Sequence, residues 1–291
     1  MNYLKDYREG EKFVGTYLCK QKQILKTKAG KTYYSLTLQD KTGTADGKIW
    51  ELNNGIANFE PMDYIHCEGM VTSFQGNLQM NISRVRISDE GEYDPADYVP
   101  CTNKDVGEMF SRILKYVASV QNKYLRKILE MYFVENKEFV DAFKKHSAAK
   151  SVHHGFMGGL LEHTLSVTDM CQYFAEHYPM IHRDLLITAA LFHDMGKIQE
   201  ISDFPMNDYT DDGQLLGHIY IGARCMENAA AQIPNFPPKL KNELVHCILA
   251  HHGKMEFGSP KVPAIMEAMA LHMADNADAK LQTLTEVFTQ A

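Results

Sequence analysis

Two incompatible hydrophobic periods divide this chain, and no other feature limits its fold as much. Before about residue 88, apolar and polar residues alternate: Tyr34, Leu36 and Leu38 interleave with Ser35, Thr37 and Gln39. That is the period of two expected of a half-buried strand. From Val106 onward the period changes. Val106, Met109, Phe110, Ile113, Leu114 and Val117 recur three and four apart, as the buried face of a helix requires. The two patterns predict a multidomain β + α chain, strands first and helices after.

The strand region resolves into five runs, at 13–20, 31–40, 45–51, 64–73 and 78–87. Turn signals at Ala29-Gly30-Lys31, Asp40-Lys41-Thr42-Gly43 and Gln75-Gly76-Asn77 separate several of them. Five short strands in so small a unit suit an OB-fold barrel over residues 1–90. The stretch SDEGEYDPADYVPCTNKD carries Pro95 and Pro100 and has no helical period, so 91–105 reads as a linker. Residues 106–291 read as an all-α bundle, with loops expected at 155–159, 204–217 and 235–238.

Composition narrows the class. With 45% hydrophobic and 23% charged residues in a chain of 291, the protein is an ordinary globular one rather than a disordered one. A formal net charge of −7 argues against nonspecific coating of DNA but leaves room for a local basic groove. No stretch approaches the roughly 20 apolar residues of a membrane span. The start, MNYLKDYREGEKF, has no apolar core behind its charges. Six cysteines stand singly, with no CxxC, as free thiols do in a reducing compartment. The expectation is a cytoplasmic protein with no membrane partner.

The chemistry concentrates around His193-Asp194, two polar ligands at the end of the apolar run LLITAALF. Burying such groups is costly unless a metal or a partner compensates them. His163, His218, His251, His252 and Asp275 complete an ordered series around the pair. A lone histidine on an apolar helix is more often a satisfied core residue, so the weight falls on the series. Mixed imidazole and carboxylate ligands suit Mn, Fe, Co, Ni or Zn better than calcium. Seven ligands over-supply one ion. We therefore expect two, with Asp194 bridging, His163, His193 and Asp275 completing one site, and His218, His251 and His252 completing the other. Two such ions can activate a water and hold a phosphoester. Lys197, three residues after Asp194, shares its helix surface and favours an anionic ligand; Asp194 and Lys197 are the expected catalytic pair.

The other histidines have plainer readings. His146, His177, His182 and His246 fall outside the series, and packing or exposure accounts for His66 and His272. His153 and His154 precede the glycine-rich entry to the His163 helix, where they can reach substrate.

In the strand region, Lys20, Lys22, Lys26, Lys28 and Lys31 cluster near the first hairpin. Tyr33 lies on a polar strand face, Trp50 follows Lys48, and Phe74 opens a turn. An OB barrel binds single strands with a positive groove and aromatic faces. Packing is the competing reading for each aromatic. The expected nucleic-acid contacts are Lys28, Tyr33, Trp50 and Phe74, with His154 from the helical half.

The series His163, His193-Asp194, Asp275 resembles the HD-domain metal-dependent phosphohydrolases, and His218, His251 and His252 resemble the additional ligands of their dinuclear members. More narrowly, GGLLEHTLSV, LFHDMGKI, GQLLGHI, LAHHGKMEFGSPKVP and MADNADAK behind an OB-like module resemble the YhaM-type 3′–5′ exoribonucleases of Gram-positive bacteria. The likeness covers essentially the whole chain. It implies removal of nucleoside 5′-monophosphates from the 3′ end of single-stranded RNA, with single-stranded DNA as a secondary substrate and manganese as the favoured metal.

Two other readings compete. An HD hydrolase of nucleotides or cyclic dinucleotides explains the ligands equally well but leaves the barrel without a task. A non-catalytic nucleic-acid-binding regulator, whose helical half supports a homo-oligomer through apolar faces such as 106–120, leaves the ligand series unexplained. Turnover of mononucleotides against oligonucleotides separates the first from the leading reading, and metal analysis separates the second.

Overall fold

The computed structural model describes residues 2–53, 55–150 and 154–290. It divides into two compact units, Met1–Pro100 and Cys101–Ala291, each with its own apolar core.

The first unit is a closed barrel in the strand order β1-β2-β3-β5-β4, formed by β1 (Lys12–Lys26), β2 (Thr32–Asp40), β3 (Gly43–Ile49), β4 (Tyr64–Phe74) and β5 (Asn77–Ile87). Neighbours are antiparallel except at the closure. There β3 runs parallel to β5, from Asp46 opposite Gln79 to Lys48 opposite Asn81. This is the expected OB-type barrel. Phe13, Tyr17, Leu36, Leu38, Ile49, Ile65 and Val85 fill its interior, the inward positions of a period-two pattern.

Two boundaries differ from the sequence reading. Strand β1 continues past residue 20 to Lys26, pairing with β2 through a bulge between Cys19 and Gln21. Its second half turns both faces outward, so no alternation marks it. The segment expected as a linker, 91–105, belongs in part to the barrel. Tyr98 and Val99 are buried, Tyr93 stacks on Tyr64 with ring centroids 4.1 Å apart, and the Gln39 amide donates to the Tyr98 carbonyl at 2.9 Å. Aromatic burial ties down a stretch whose prolines and acids look extended.

The second unit is helical: α1 (Val106–Ser119), α2 (Lys123–Phe133), α3 (Lys137–Lys145), α4 (Gly159–His177), α5 (Arg183–Phe192), α6 (Lys197–Glu200), α7 (Asp211–Ala231), α8 (Pro238–Ala250) and α9 (Met266–Gln290). Side-chain caps set several starts: Asp105 accepts from the Glu108 N–H, Asn122 from those of Tyr124 and Leu125, and Asn136 from that of Phe139. Helix α5 is buried on every side from Leu185 to Phe192, so it forms the centre of the bundle.

The region expected as a loop, 204–217, is helical from Asp211. Thr210 caps it by accepting from the Gly213 N–H at 2.9 Å. Gly217, at φ 72 and ψ 154, then breaks the helix. Glycine adopts that left-handed φ without steric cost, and the break re-aims His218.

Candidate metal centre and nucleic-acid surface

Five helices deliver seven side chains to one buried point. His163 comes from the second turn of α4. His193 closes α5, with Asp194 next in the chain. His218 follows the Gly217 break in α7, His251 and His252 follow α8, and Asp275 sits on α9. His193 is fully buried and Asp194 is 2% exposed.

The two oxygens of Asp194 face different partners. Oδ2 lies 3.3 Å from His163 Nε2 and 3.4 Å from His193 Nε2. Asp275 Oδ1 stands 3.2 Å from His163 Nε2, and His163, His193 and Asp275 form one group able to hold an ion. Oδ1 lies 3.5 Å from His218 Nε2 and 3.6 Å from His251 Nε2. His218, His251 and His252 form a second such group. The structure brings together all seven residues singled out in the sequence.

Hydrogen bonds on the far side of each ring fix which nitrogen faces inward. Nδ1 of His193 meets the Ala190 carbonyl at 2.8 Å, that of His251 the Ile248 carbonyl at 2.7 Å, and that of His252 the Phe257 carbonyl at 2.9 Å. A carbonyl only accepts, so each Nδ1 carries the proton, and in the neutral ring Nε2 is a lone pair. Lone pairs and carboxylate oxygens thus converge from every side. Three of these inward atoms, Asp194 Oδ1, His218 Nε2 and His251 Nε2, are buried and have no hydrogen-bond partner among the described residues. A cluster of buried acceptors without donors is costly unless cations sit among them. The donor set therefore fits divalent ions with imidazole and carboxylate ligands.

The outer residues were not visible in the sequence. Asp278 accepts from His163 Nδ1 at 2.7 Å and from His154 Nε2 at 2.9 Å, and Ser166 donates to its other oxygen. Glu200 accepts from His218 Nδ1 at 2.9 Å and from the His218 N–H at 2.9 Å. These carboxylates orient the ligand rings and make them better donors to a metal. The one available signal was spacing: Asp278 lies one turn beyond Asp275 on the same helix face.

The electrostatics show a site that draws positive charge. Burial alone would push the Asp194 carboxyl up, yet the Lys197 ammonium and the His193 and His163 rings hold it well below the usual carboxylate range. Burial opposes charge on His163 as well, but Asp194, Asp275 and Asp278 raise it well above its ordinary value. On the other side, burial and the neighbouring His251 bring His252 down to about 4, which keeps it neutral and able to ligate. Lys197 Nζ lies 2.6 Å from Asp194 Oδ2. It lines a cleft of about 430 Å³ together with His163, His252, Phe257, Asp275 and Lys280.

The expected nucleic-acid contacts fare unevenly. His154 is 2% exposed and turned onto Asp278, so it supports His163 instead of meeting a strand. His153 lies outside the described residues. On the barrel, Tyr33 and Trp50 stack on each other with centroids 4.6 Å apart, and Trp50 donates to Asn81 Oδ1 at 3.0 Å. Trp50 and Phe74 are exposed large apolar residues, and Lys28 is exposed. Lys22 is not available to a ligand: it donates to the Phe59 carbonyl at 2.5 Å and packs over the Tyr34 and Phe59 rings.

The closed barrel and the convergent His/Asp cluster define a chain that joins an OB-type module to an HD domain. The family model described as HD domain matches residues 160–280, a span holding all seven residues of the cluster, and such a domain implies a divalent metal. The chain is 32% identical over 262 residues to the 3′–5′ exoribonuclease YhaM of Bacillus subtilis (strain 168), covering 88% of this chain and 81% of that protein. It is 32% identical over 293 residues to the 3′–5′ exoribonuclease YhaM of Listeria innocua serovar 6a, covering 98% and 90%. A solved second OB-fold domain of replication protein A from Methanococcus maripaludis covers 31% of this chain and 98% of its own, at 20% identity and a TM-score of 0.25. The chain belongs to the YhaM 3′–5′ exoribonuclease family.

Proposed function

We propose that this protein is a divalent-metal-dependent 3′–5′ exoribonuclease. It removes nucleoside 5′-monophosphates from the 3′ end of single-stranded RNA and accepts single-stranded DNA as a secondary substrate. The observation that carries the reading is the pair of acceptor sets on the two oxygens of Asp194, beneath a cleft that Lys197 lines. Family membership supplies the polarity and the RNA.

His163, His193, Asp194 and Asp275 would hold one ion, and Asp194, His218, His251 and His252 a second; manganese is the first metal to test. When bound, such a pair supplies a nucleophilic water near neutral pH and offsets charge on the phosphate. The chain's own residues do the rest. Asp278 and Glu200 fix His163 and His218 by their Nδ1 protons, so the lone pairs are aimed before substrate arrives. Lys197 keeps its charge because Asp194 stabilises it against burial, and it offsets the negative charge of the scissile phosphate. We assign strand binding to the barrel unit, through Lys28, the Tyr33–Trp50 stack and Phe74, and hydrolysis to the helical unit.

Incubation of purified protein and manganese with RNA labelled at its 5′ end tests this. The expected result is a ladder of shortening RNA with release of mononucleotides, absent for Asp194→Ala. Trimming by Asp194→Ala at the parent rate would overturn the metal centre, and internal cleavage would overturn the exonuclease reading.

A further inference from the structure

We propose that the metal cleft carries a subsite for the 3′-terminal nucleoside, in which Phe257 stacks on the base and His272 bonds a hydroxyl of the terminal ribose. The proposal rests on the exoribonuclease reading and names the specificity of that site.

His272 lines the cleft with Asn276 and Lys280, residues one and two turns further along the same face of α9. Its Nδ1 donates to the His251 carbonyl at 2.8 Å, which leaves Nε2 as the ring's uncommitted nitrogen. That atom has no hydrogen bond among the described residues and is not among the fully buried orphans, so its hydrogen-bonding capacity is left for a ligand in the cleft. The ring is also clamped. Gly253, at φ +76, runs so close under the ring that a Cβ there would lie 2.2 Å from His272 Cε1 and 2.3 Å from Nε2, so only an approach in the plane of the ring reaches Nε2. A ring held by a carbonyl on one edge and by backbone against it is preorganised and loses little freedom on binding.

The chemistry of the free atom selects the partner. A neutral ring offers a lone pair at Nε2, which repels phosphate oxygens but accepts from a hydroxyl. A protonated ring donates there, and a hydroxyl also accepts. A sugar hydroxyl is therefore the nucleotide group that suits Nε2 in either state. Phosphate is the business of Lys197 and the metal ligands.

Phe257 supplies a second, independent observation. Phe257 is 57% exposed and lines the cleft, with Lys254 Nζ over its ring at 5.4 Å from the centroid, while its carbonyl accepts from His252 Nδ1 at 2.9 Å. The short turn Met255–Phe257 that fixes His252 therefore also presents an aromatic ring, whose face opposite Lys254 is left for a base. Such faces bind bases of any identity, as an enzyme that removes every nucleotide in turn requires.

The test compares RNA oligomers of one sequence ending in ribose, 2′-deoxyribose or 3′-deoxyribose, using parent, His272→Asn, His272→Gln and Phe257→Ala proteins. Asparagine places its amide at the Nδ1 position, so it keeps the bond to His251 and loses the Nε2 contact. Glutamine does the reverse. For the parent, kcat/KM falls about five- to tenfold when one of the two terminal hydroxyls is removed, the scale of one neutral hydrogen bond. His272→Asn loses that sensitivity while metal content measured by elemental analysis stays at the parent level. His272→Gln keeps part of it. Phe257→Ala raises KM about tenfold on every terminus. A parent indifferent to both hydroxyls, or an Asn variant as sensitive as the parent, overturns the His272 assignment while leaving the exoribonuclease reading intact. Unchanged KM in Phe257→Ala overturns the stacking assignment. A parent inert on all three RNAs overturns both the proposal and the reading beneath it.

Discussion

Each inward histidine of the cluster is aimed because something behind it accepts its Nδ1 proton, and at His163 that something is Asp278. Asp278 bonds His163, His154 and Ser166 at once, so removing it frees the ring to rotate. Asp278→Ala should lower metal affinity about 10- to 100-fold, read by isothermal titration with manganese; affinity at the parent level would remove Asp278 from the support of the site. Glu200→Ala should act likewise through His218. Loss of Asp194 should be more severe, since both groups share it: Asp194→Ala should abolish binding of two equivalents and leave at most one weak site. The seven inward residues were legible because each sits in a short motif and the motifs follow a specific order along the chain. Asp278 and Glu200 were not, because a carboxylate on a helix is commonplace and only the fold reveals which ring it faces. His154 misled for a related reason: the glycines after it suggest an open loop, but its ring turns inward to a carboxylate that lies 124 residues away.

At the scale of elements, the site depends on places where helices end or break. His193 and Asp194 terminate α5, Gly196 precedes α6, and Gly217 interrupts α7 just before His218. Gly196 matters because α7 lies against it: a Cβ there would stand 2.1 Å from the His218 carbonyl oxygen. Backbone cannot yield as a flexible side chain does. Gly196→Ala should therefore move His218 off Asp194 and destabilise the protein by about 1–3 kcal/mol, the usual scale of overpacking. Second-site metal binding should be lost before folding is. Urea unfolding beside metal titration checks both, and unchanged stability with full stoichiometry would show that α7 can shift without cost. Leu186→Ala, in the fully buried α5, should cost about 2–5 kcal/mol. The strands were legible where one face is buried, since alternation records burial; the outer half of β1 buries no apolar side chain, only the Lys22 stem, and left no pattern. In α7 the polar, glycine-containing run DDGQLLG looks like loop because its helix is short and capped, and Gly217 breaks it for a purpose that residue spacing does not encode.

Across the whole molecule, the barrel and the helical unit each close an apolar core of their own, and all seven proposed ligands belong to the second unit. Ions bound by five different helical segments would stabilise the folded form of that unit, because the unfolded chain offers no assembled site. At a metal concentration of 100 times Kd the gain is about 2.7 kcal/mol, which for a unit of this size corresponds to a rise in Tm of roughly 5–10 °C. The chain provides two separate reporters. Its only tryptophan, Trp50, sits on the barrel against Tyr33, whereas circular dichroism at the helical band follows the bundle. Chelation should lower the helical transition by that amount and leave the Trp50 fluorescence transition where it was. A fluorescence transition that moves as far as the helical one would mean that metal binding stabilises the barrel too, and a helical transition that does not move would mean that the cluster binds no metal in the folded protein.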